Sequence, residues 1–250
     1  MNILPTAQVR QLRCPRCGNS VLPQHTPGMK IVCPIVGCNG IFDPDNMPTF
    51  YPDPPRMNLV AGAVAGQADG SASPLNFGRN ESGEIIVTGV NGSPSVIDIP
   101  TSVNGRAVMG IGPRAFADQT ALRRVTLPDT VVTIGEDAFA GCVSLESVTF
   151  GTGLRILDMG CFRDCASLDY VSLPARVEEI GRDAFAQCTS LAEVELNGPV
   201  KVIRDNAFGL CEQLSIFKYP ERPQRIAPGA FSACYMLPQS VQDDLFPNGQ

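Results

Sequence analysis

One phenylalanine returns every 23 residues, at Phe116, Phe139, Phe162, Phe185, Phe208 and Phe231. Two more apolar columns keep the same step. One runs Leu122, Leu145, Leu168, Leu191, Leu214, Leu237, and the other Ile111, Ile134, Leu157, Ile180, Ile203, Ile226. No insertion interrupts them across five steps. A 23-residue unit has too little surface to bury its own apolar side, so units of this kind stack and bury it against one another. Each position of the period then becomes a ladder along the stack. The predicted architecture is a solenoid, mainly β with short helical turns.

Within a unit, the stretch Leu145-Glu-Ser-Val148-Thr-Phe150 ends in alternation and reads as a short strand. Pro128, Pro174 and Pro220 stop it in their units. A second apolar stretch, such as Val177-Glu-Glu-Ile180, belongs on the other side of the coil. The phrase AFxxC then closes the turn, with a small Ala at the bend and the Phe inside. Its cysteine recurs at Cys142, Cys165, Cys188, Cys211 and Cys234, with Gln119 in the equivalent place of the first unit. Stacked strands lie about 4.8 Å apart, within disulfide range. Side chains of one ladder point the same way, however, which is poor bonding geometry. These thiols are read as reduced, buried packing groups. Cys161, where other units have Ala, stands four residues before Cys165; a local redox role is the alternative there.

The wording of the repeat is similar to the BspA-like subclass of leucine-rich repeats. Ile180-Gly-Arg-Asp-Ala-Phe185-Ala-Gln-Cys188-Thr-Ser-Leu191-Ala-Glu-Val194-Glu-Leu196 carries the resemblance well, and it extends over about 83–237. The segment 83–112 resembles the family's opening, with a lengthened first coil from Ile97 to Val125. Its extra residues fall near Asn104-Gly105. The resemblance implies a leucine-rich-repeat solenoid, expected over 79–237, in a family whose members are often surface-exposed or secreted adhesins. The last unit decays after AFSAC, where Ser240 replaces the strand valine. Leu237, Val241, Leu245 and Phe246 are expected to cover the open end, with 238–250 as cap and tail.

The other four cysteines are organised differently. Cys14-x2-Cys17 and Cys33-x4-Cys38 enclose fifteen residues. Four thiolates around a d¹⁰ ion make a closed tetrahedral site, and a piece of about 40 residues needs such a staple to fold. This stretch resembles a zinc ribbon over about 10–42, placed as domain 1–42. It implies structural zinc on Cys14, Cys17, Cys33 and Cys38. Iron in a rubredoxin-like site, a disulfide pair and a redox CxxC are the alternatives. With sulfur in all four positions no coordination site is open for catalytic water. His25, the one histidine of the chain, reads as an exposed loop residue. Residues 43–78 are rich in Pro, Ala and Gly and show no clear period, so they read as a linker, stiff at first and then flexible. Phe50 and Tyr51 are rings that such an extended segment can offer to a partner.

Charge and chemistry narrow the function. The net charge of −6 divides into +4 over 1–42, from Arg10, Arg13, Arg16 and Lys30 without an acid, and −10 over the remainder. The whole chain is thus a poor nucleic-acid binder. With its histidine outside the repeats, no Ser/His/Asp or Cys/His set can form within them, and no phosphate loop is present. The expectation is a non-enzymatic scaffold that binds protein partners, with neither small-molecule substrate nor membrane insertion. Its candidate face is the outward row of the strands: Arg124 and Thr126, Ser147 and Thr149, Tyr170 and Ser172, Glu193 and Glu195, Ile216 and Lys218. A structural component of a large assembly such as a phage particle is the alternative, and nucleic-acid binding through the basic ribbon the lesser one. The N-terminus has no signal-peptide pattern and no stretch reaches the ~18 apolar residues of a membrane span. The expected location is the cytoplasm or a particle assembled there.

Overall fold

A computed structural model describes residues 74–247, together with the backbone of five strands upstream of them. The chain divides into two units, Met1–Pro54 and Pro55–Gln250. In the first, β1 (Leu12–Arg13) pairs antiparallel with β2 (Ser20–Val21), and β3 (Ile31–Val32) with β4 (Ile41–Phe42). Cys14, Cys17, Cys33, Cys38 and His25, like Phe50 and Tyr51, lie outside the described residues.

The second unit winds into a β-solenoid whose coils follow from the 23-residue period. One side of each coil contributes a short strand to a ten-stranded sheet. This sheet begins with β5 (Leu59–Val64), β6 (Leu75–Asn80) and β7 (Ile85–Val90), paired antiparallel. From β7 onward it is parallel, through β10 (Arg106–Ile111), β12 (Thr133–Ile134), β14 (Ile156–Leu157), β16 (Glu179–Ile180), β18 (Val202–Ile203) and β20 (Arg225–Ile226). The register Ile134–Leu157–Ile180–Ile203–Ile226 advances by one full repeat at each rung. The opposite side holds the LxxVxL strands in two three-stranded parallel sheets. The first contains β8 (Val96–Asp98), β11 (Arg124–Thr126) and β13 (Ser147–Thr149); the second contains β15 (Tyr170–Leu173), β17 (Glu193–Leu196) and β19 (Ile216–Lys218).

The long first coil matches its expected register, since Ile97 pairs with Val125. Its extra residues form a hairpin of β9 (Ser102–Val103) with β10. Asn104 and Gly105 turn it with φ of 52° and 72°, the left-handed pair that a two-residue hairpin of matching twist requires and that Asn-Gly supplies at little cost.

Two findings correct the reading of 43–78 as strandless linker. Leu59–Val64 and Leu75–Asn80 are strands, and together with β7 they form the antiparallel start of the sheet. Leu75 and Phe77 are buried. The physical reason is that the first parallel coil would otherwise leave a row of backbone groups unpaired and its lining exposed, which an antiparallel cap removes. The sequence signal was only the alternation Leu75-x-Phe77, cut short by Gly78. At the other end α1 (Gln239–Leu245) closes the stack. Leu237 and Leu245 are buried, and Val241 and Phe246 pack on the core.

The third arc of the coil, carrying AFxxC, contains no regular strand or helix. Its backbone is tied to the next coil instead: Phe139 N–H donates to Cys161 O (2.8 Å), and Gly141 N–H to Arg163 O (2.9 Å). Two positions are left-handed here in every coil but the last, two residues before the Phe (Arg114, Asp137, Gly160, Asp183, Asn206) and two after it (Asp118, Gly141, Asp164, Gln187, Leu210), and the last coil keeps only the second, Ala233. Asp, Asn and Gly adopt this region most readily, which explains their recurrence around AF. Inside, the rings of Phe116, Phe139, Phe162, Phe185, Phe208 and Phe231 stack as one column. Successive centroids are 4.9, 5.0, 5.3, 5.4 and 5.2 Å apart, with planes within 14° of parallel.

Candidate binding face

The candidate residues occupy the outward positions of the LxxVxL strands because the alternate ones turn inward. Val125, Val171 and Val194 are buried, and the side chains on either side of each face out. Register makes two columns of them. Arg124 stands beside Ser147, and Thr126 beside Thr149; Glu193 stands between Tyr170 and Ile216, and Glu195 between Ser172 and Lys218. Arg124, Thr126, Ser147, Thr149, Tyr170, Ile216 and Lys218 are exposed, while Ser172, Glu193 and Glu195 are half-buried.

The columns are not one continuous ladder. No pairing joins β13 to β15, so Arg124, Thr126, Ser147 and Thr149 sit in one sheet and the other six in the next. Phe150 stands where other coils have Leu127, Leu173 and Leu196; it is half-buried and its ring meets Phe162 edge-on at 5.8 Å. Its coil also lies tight against the preceding one. A Cβ added at Gly151 would fall 2.1 Å from Pro128 O, and Thr152 N–H donates to Asp129 Oδ1 at 2.7 Å.

The second sheet has a fixed polar surface. Tyr170 O–H donates to Glu195 Oε2 (2.9 Å), Lys218 Nζ to Glu193 Oε1 (2.6 Å), and Asn197 Nδ2 to Ser172 Oγ (2.8 Å) and Leu173 O (3.0 Å). These bonds run diagonally between neighbouring strands and hold the side chains in place. The hydrogen bond and charge of Glu193 raise the Lys218 ammonium above its ordinary range. Asn197 escaped the sequence reading. The available signal was an Asn in a column otherwise made of Pro128, Gly151, Pro174 and Pro220. Beside it opens a cleft of ≈ 310 Å³, lined by Glu195, Leu196, Asn197, Lys218, Tyr219 and Pro220. Tyr219 O–H donates to Asp244 of α1, and burial together with that bond pushes its pKa to about 12. Arg222 donates to Leu245 O at 2.8 Å, so the wall of the cleft is tied to the cap.

The opposite side carries ions in rungs. Arg155 and Lys201 both pair with Glu178, at 3.0 and 2.5 Å, and Arg204 pairs with Glu179. The hydrogen bond from Lys201 lowers the Glu178 carboxyl below its ordinary range. The exposed Arg155 and Lys201 pairs contribute less than about 1 kcal/mol each, while the Arg204–Glu179 pair is half-buried.

The thiol column has a second role that packing alone did not reveal. Every repeated cysteine aims Sγ at the carbonyl of the phenylalanine one coil earlier. Cys142 reaches Phe116 O at 3.1 Å, Cys165 Phe139 O at 3.3 Å, Cys188 Phe162 O at 3.2 Å, Cys211 Phe185 O at 3.2 Å and Cys234 Phe208 O at 3.0 Å. A thiol is a weak donor, but each gives a buried carbonyl a bond across the coil boundary. All six solenoid cysteines are free and buried. Burial pushes Cys142 and Cys234 up to about 12 and Cys161 well above the ordinary thiol range. The thiolate that redox chemistry at Cys161 would need is therefore scarce at neutral pH.

Among the described residues, no group of three or more His, Cys, Asp or Glu side chains is arranged to hold a metal. No helix among them is long and apolar enough to cross a membrane.

The model of the BspA type leucine rich repeat region matches residues 110–238 in six copies, just over half of the chain. The chain belongs to the BspA-type leucine-rich repeat family. Among solved structures, this BspA-type chain is similar to a leucine-rich repeat protein from T. pallidum, with 29% identity and a TM-score of 0.57, over 73% of this chain and 97% of that one. It is also similar to a leucine-rich repeat protein from Bacteroides ovatus, at 25% identity and a TM-score of 0.49 over 68% and 52% of the two chains. A leucine rich cell surface protein from Faecalibacterium prausnitzii gives 26% identity and a TM-score of 0.48 over 72% and 55%. No curated protein matches.

Proposed function

We propose that the solenoid is a non-enzymatic protein-interaction scaffold that binds through the second half of its strand face, around Tyr170, Ser172, Glu193, Glu195 and Lys218. The observation that carries this reading is the diagonal bonding of that face beside the cleft. Polar side chains fixed before binding lose little freedom when a partner arrives. Tyr170, 44% exposed, and Ile216, 42% exposed, flank them and offer apolar area that water covers poorly. Arg124 and Thr126, across the break in the sheet, extend the surface at its edge.

The first unit acts as a second docking module held by zinc. The paired strands β1 and β2 bracket Cys14 and Cys17 in the sequence, and β3 and β4 bracket Cys33 and Cys38. This support is topological: in the sequence each cysteine pair lies between two strands that pair with each other. Zinc would supply structure alone, joining the two loops through four thiolates. Purified protein is expected to carry one zinc per chain, measured by metal analysis, and Cys14→Ser is expected to lose it. Full metal retention in that variant contradicts the ligand set.

For the face, a protein partner captured on the full chain is the test. Tyr170→Ala with Glu195→Ala is expected to weaken capture at least about tenfold, the effect of losing about 1.4 kcal/mol. Arg155→Ala, on the opposite side, is expected to leave it unchanged. Equal binding by both variants would show that the strand face is not the binding surface.

A further inference from the structure

We infer that the strand face takes the basic N-terminal segment, 1–42, of a second copy of this chain. The inference rests on the binding face just proposed and names its occupant. The charge of the chain is divided, with +4 over 1–42 and −10 over 43–250. The first part contains no carboxylate at all. Four thiolates on one zinc would subtract two charges from it and still leave it positive.

The face offers the complement. On β17, Glu193 is neutralised by Lys218 at 2.6 Å. Glu195 accepts the Tyr170 hydroxyl and feels the charge of the neighbouring Lys218 less strongly than Glu193 does, and Asp169, at the rim of the same sheet, is exposed. Among the described residues no cation lies within ion-pair distance of the Glu195 or Asp169 carboxylate. The hydroxyl of the exposed Tyr170 bonds the Glu195 carboxylate, which also lines the cleft. An exposed ring whose hydroxyl holds a carboxylate offers a guanidinium both a surface to stack on and an acceptor close by. Arg10, Arg13 and Arg16 supply guanidinium groups at three-residue intervals. The interacting patches differ, so the contact is head-to-tail rather than two-fold, and it leaves a free face and a free basic segment at the two ends of every pair.

Sedimentation equilibrium of the full chain tests this. At low salt the average mass is expected to rise from one chain toward two and beyond with concentration. At about 1 M salt, where the Debye length is ~3 Å, it is expected to return to one. Asp169→Lys with Glu195→Lys removes the acceptor, and Arg10→Glu with Arg13→Glu removes the donor. Each variant alone is expected to stay a single chain at low salt. Mixed, they are expected to form a 1:1 pair, because the first still carries a basic segment and the second an intact face. Circular dichroism checks folding, and Asp169→Asn with Glu195→Gln replaces the first variant if it fails. A wild-type chain that stays single at low salt overturns the inference, as does self-association of either variant or failure of the mixture to pair. Capture of a different protein partner through Tyr170 and Glu195 would leave the proposed function standing in each of those cases.

Discussion

Phe185→Ala is expected to cost about 3–5 kcal/mol in a chemical denaturation experiment, the range for large rings removed from cores. Phe185 has no exposed surface, and the rings of Phe162 and Phe208 stand 5.3 and 5.4 Å on either side. Truncation opens a void one ring wide in a column whose neighbours are held by their own backbone bonds. Phe185 N–H donates to Ala207 O at 2.8 Å, so the coil cannot slide to fill it. The loss is a large share of the ~5–15 kcal/mol that holds a typical domain. In a stack whose stability is carried by nearest-neighbour interfaces, it is also placed to uncouple the coils on its two sides. Phe231 is half-buried at the end of the column, and Phe231→Ala is expected to cost distinctly less. A loss below about 1 kcal/mol for Phe185→Ala would mean that the ring does not line the interior.

Gly151→Ala is the second large effect. The added Cβ would lie 2.1 Å from Pro128 O, 2.3 Å from Pro128 C and 2.6 Å from Asp129 N. All three are backbone atoms, and none can swing away as a side-chain tip does. The coil would have to move off its neighbour, breaking the Thr152–Asp129 bond of 2.7 Å. The expected cost is at least about 2 kcal/mol, in the upper part of the range for overpacking. Gly83→Ala is the contrast. Its φ of 78° strains an alanine, but no atom lies within 4 Å of the new carbon, so about 1 kcal/mol is expected from backbone strain. Equal costs at the two positions would show that the close approach of coils at Gly151 is absent.

The architecture was legible wherever the sequence repeated itself. The Phe, Leu and Ile columns carry no insertions, so their period gave the stack, and the offset between Ile97 and Val125 gave the long first coil. What repeats in sequence but acts through geometry was harder to see. The cysteine column was recognised as buried, yet its bonds to the phenylalanine carbonyls need the coil spacing, which no single unit displays. The Asp and Asn residues beside AF recur for their left-handed backbone rather than for their charge. Features that occur once were missed. The antiparallel cap rests on Leu75 and Phe77, too short an alternation to stand out. The break between β13 and β15 accompanies one Leu-to-Phe exchange at position 150. Asn197 stands out only once Pro174 and Pro220 are known to be its neighbours along the column. Strand alternation pointed to the outward row, but alternation says nothing of which residues bond to each other. The diagonal bonds from Tyr170, Lys218 and Asn197 depend on register and side-chain length together.

Magnetisation transfer between selectively labelled phenylalanine rings tests the continuous column directly. Phe139, Phe162, Phe185 and Phe208 are each expected to show cross-peaks to the column rings of the coil before and the coil after. Cross-peaks that skip a coil, or a column phenylalanine whose ring protons meet solvent instead of its neighbours, would contradict a shared interior lining.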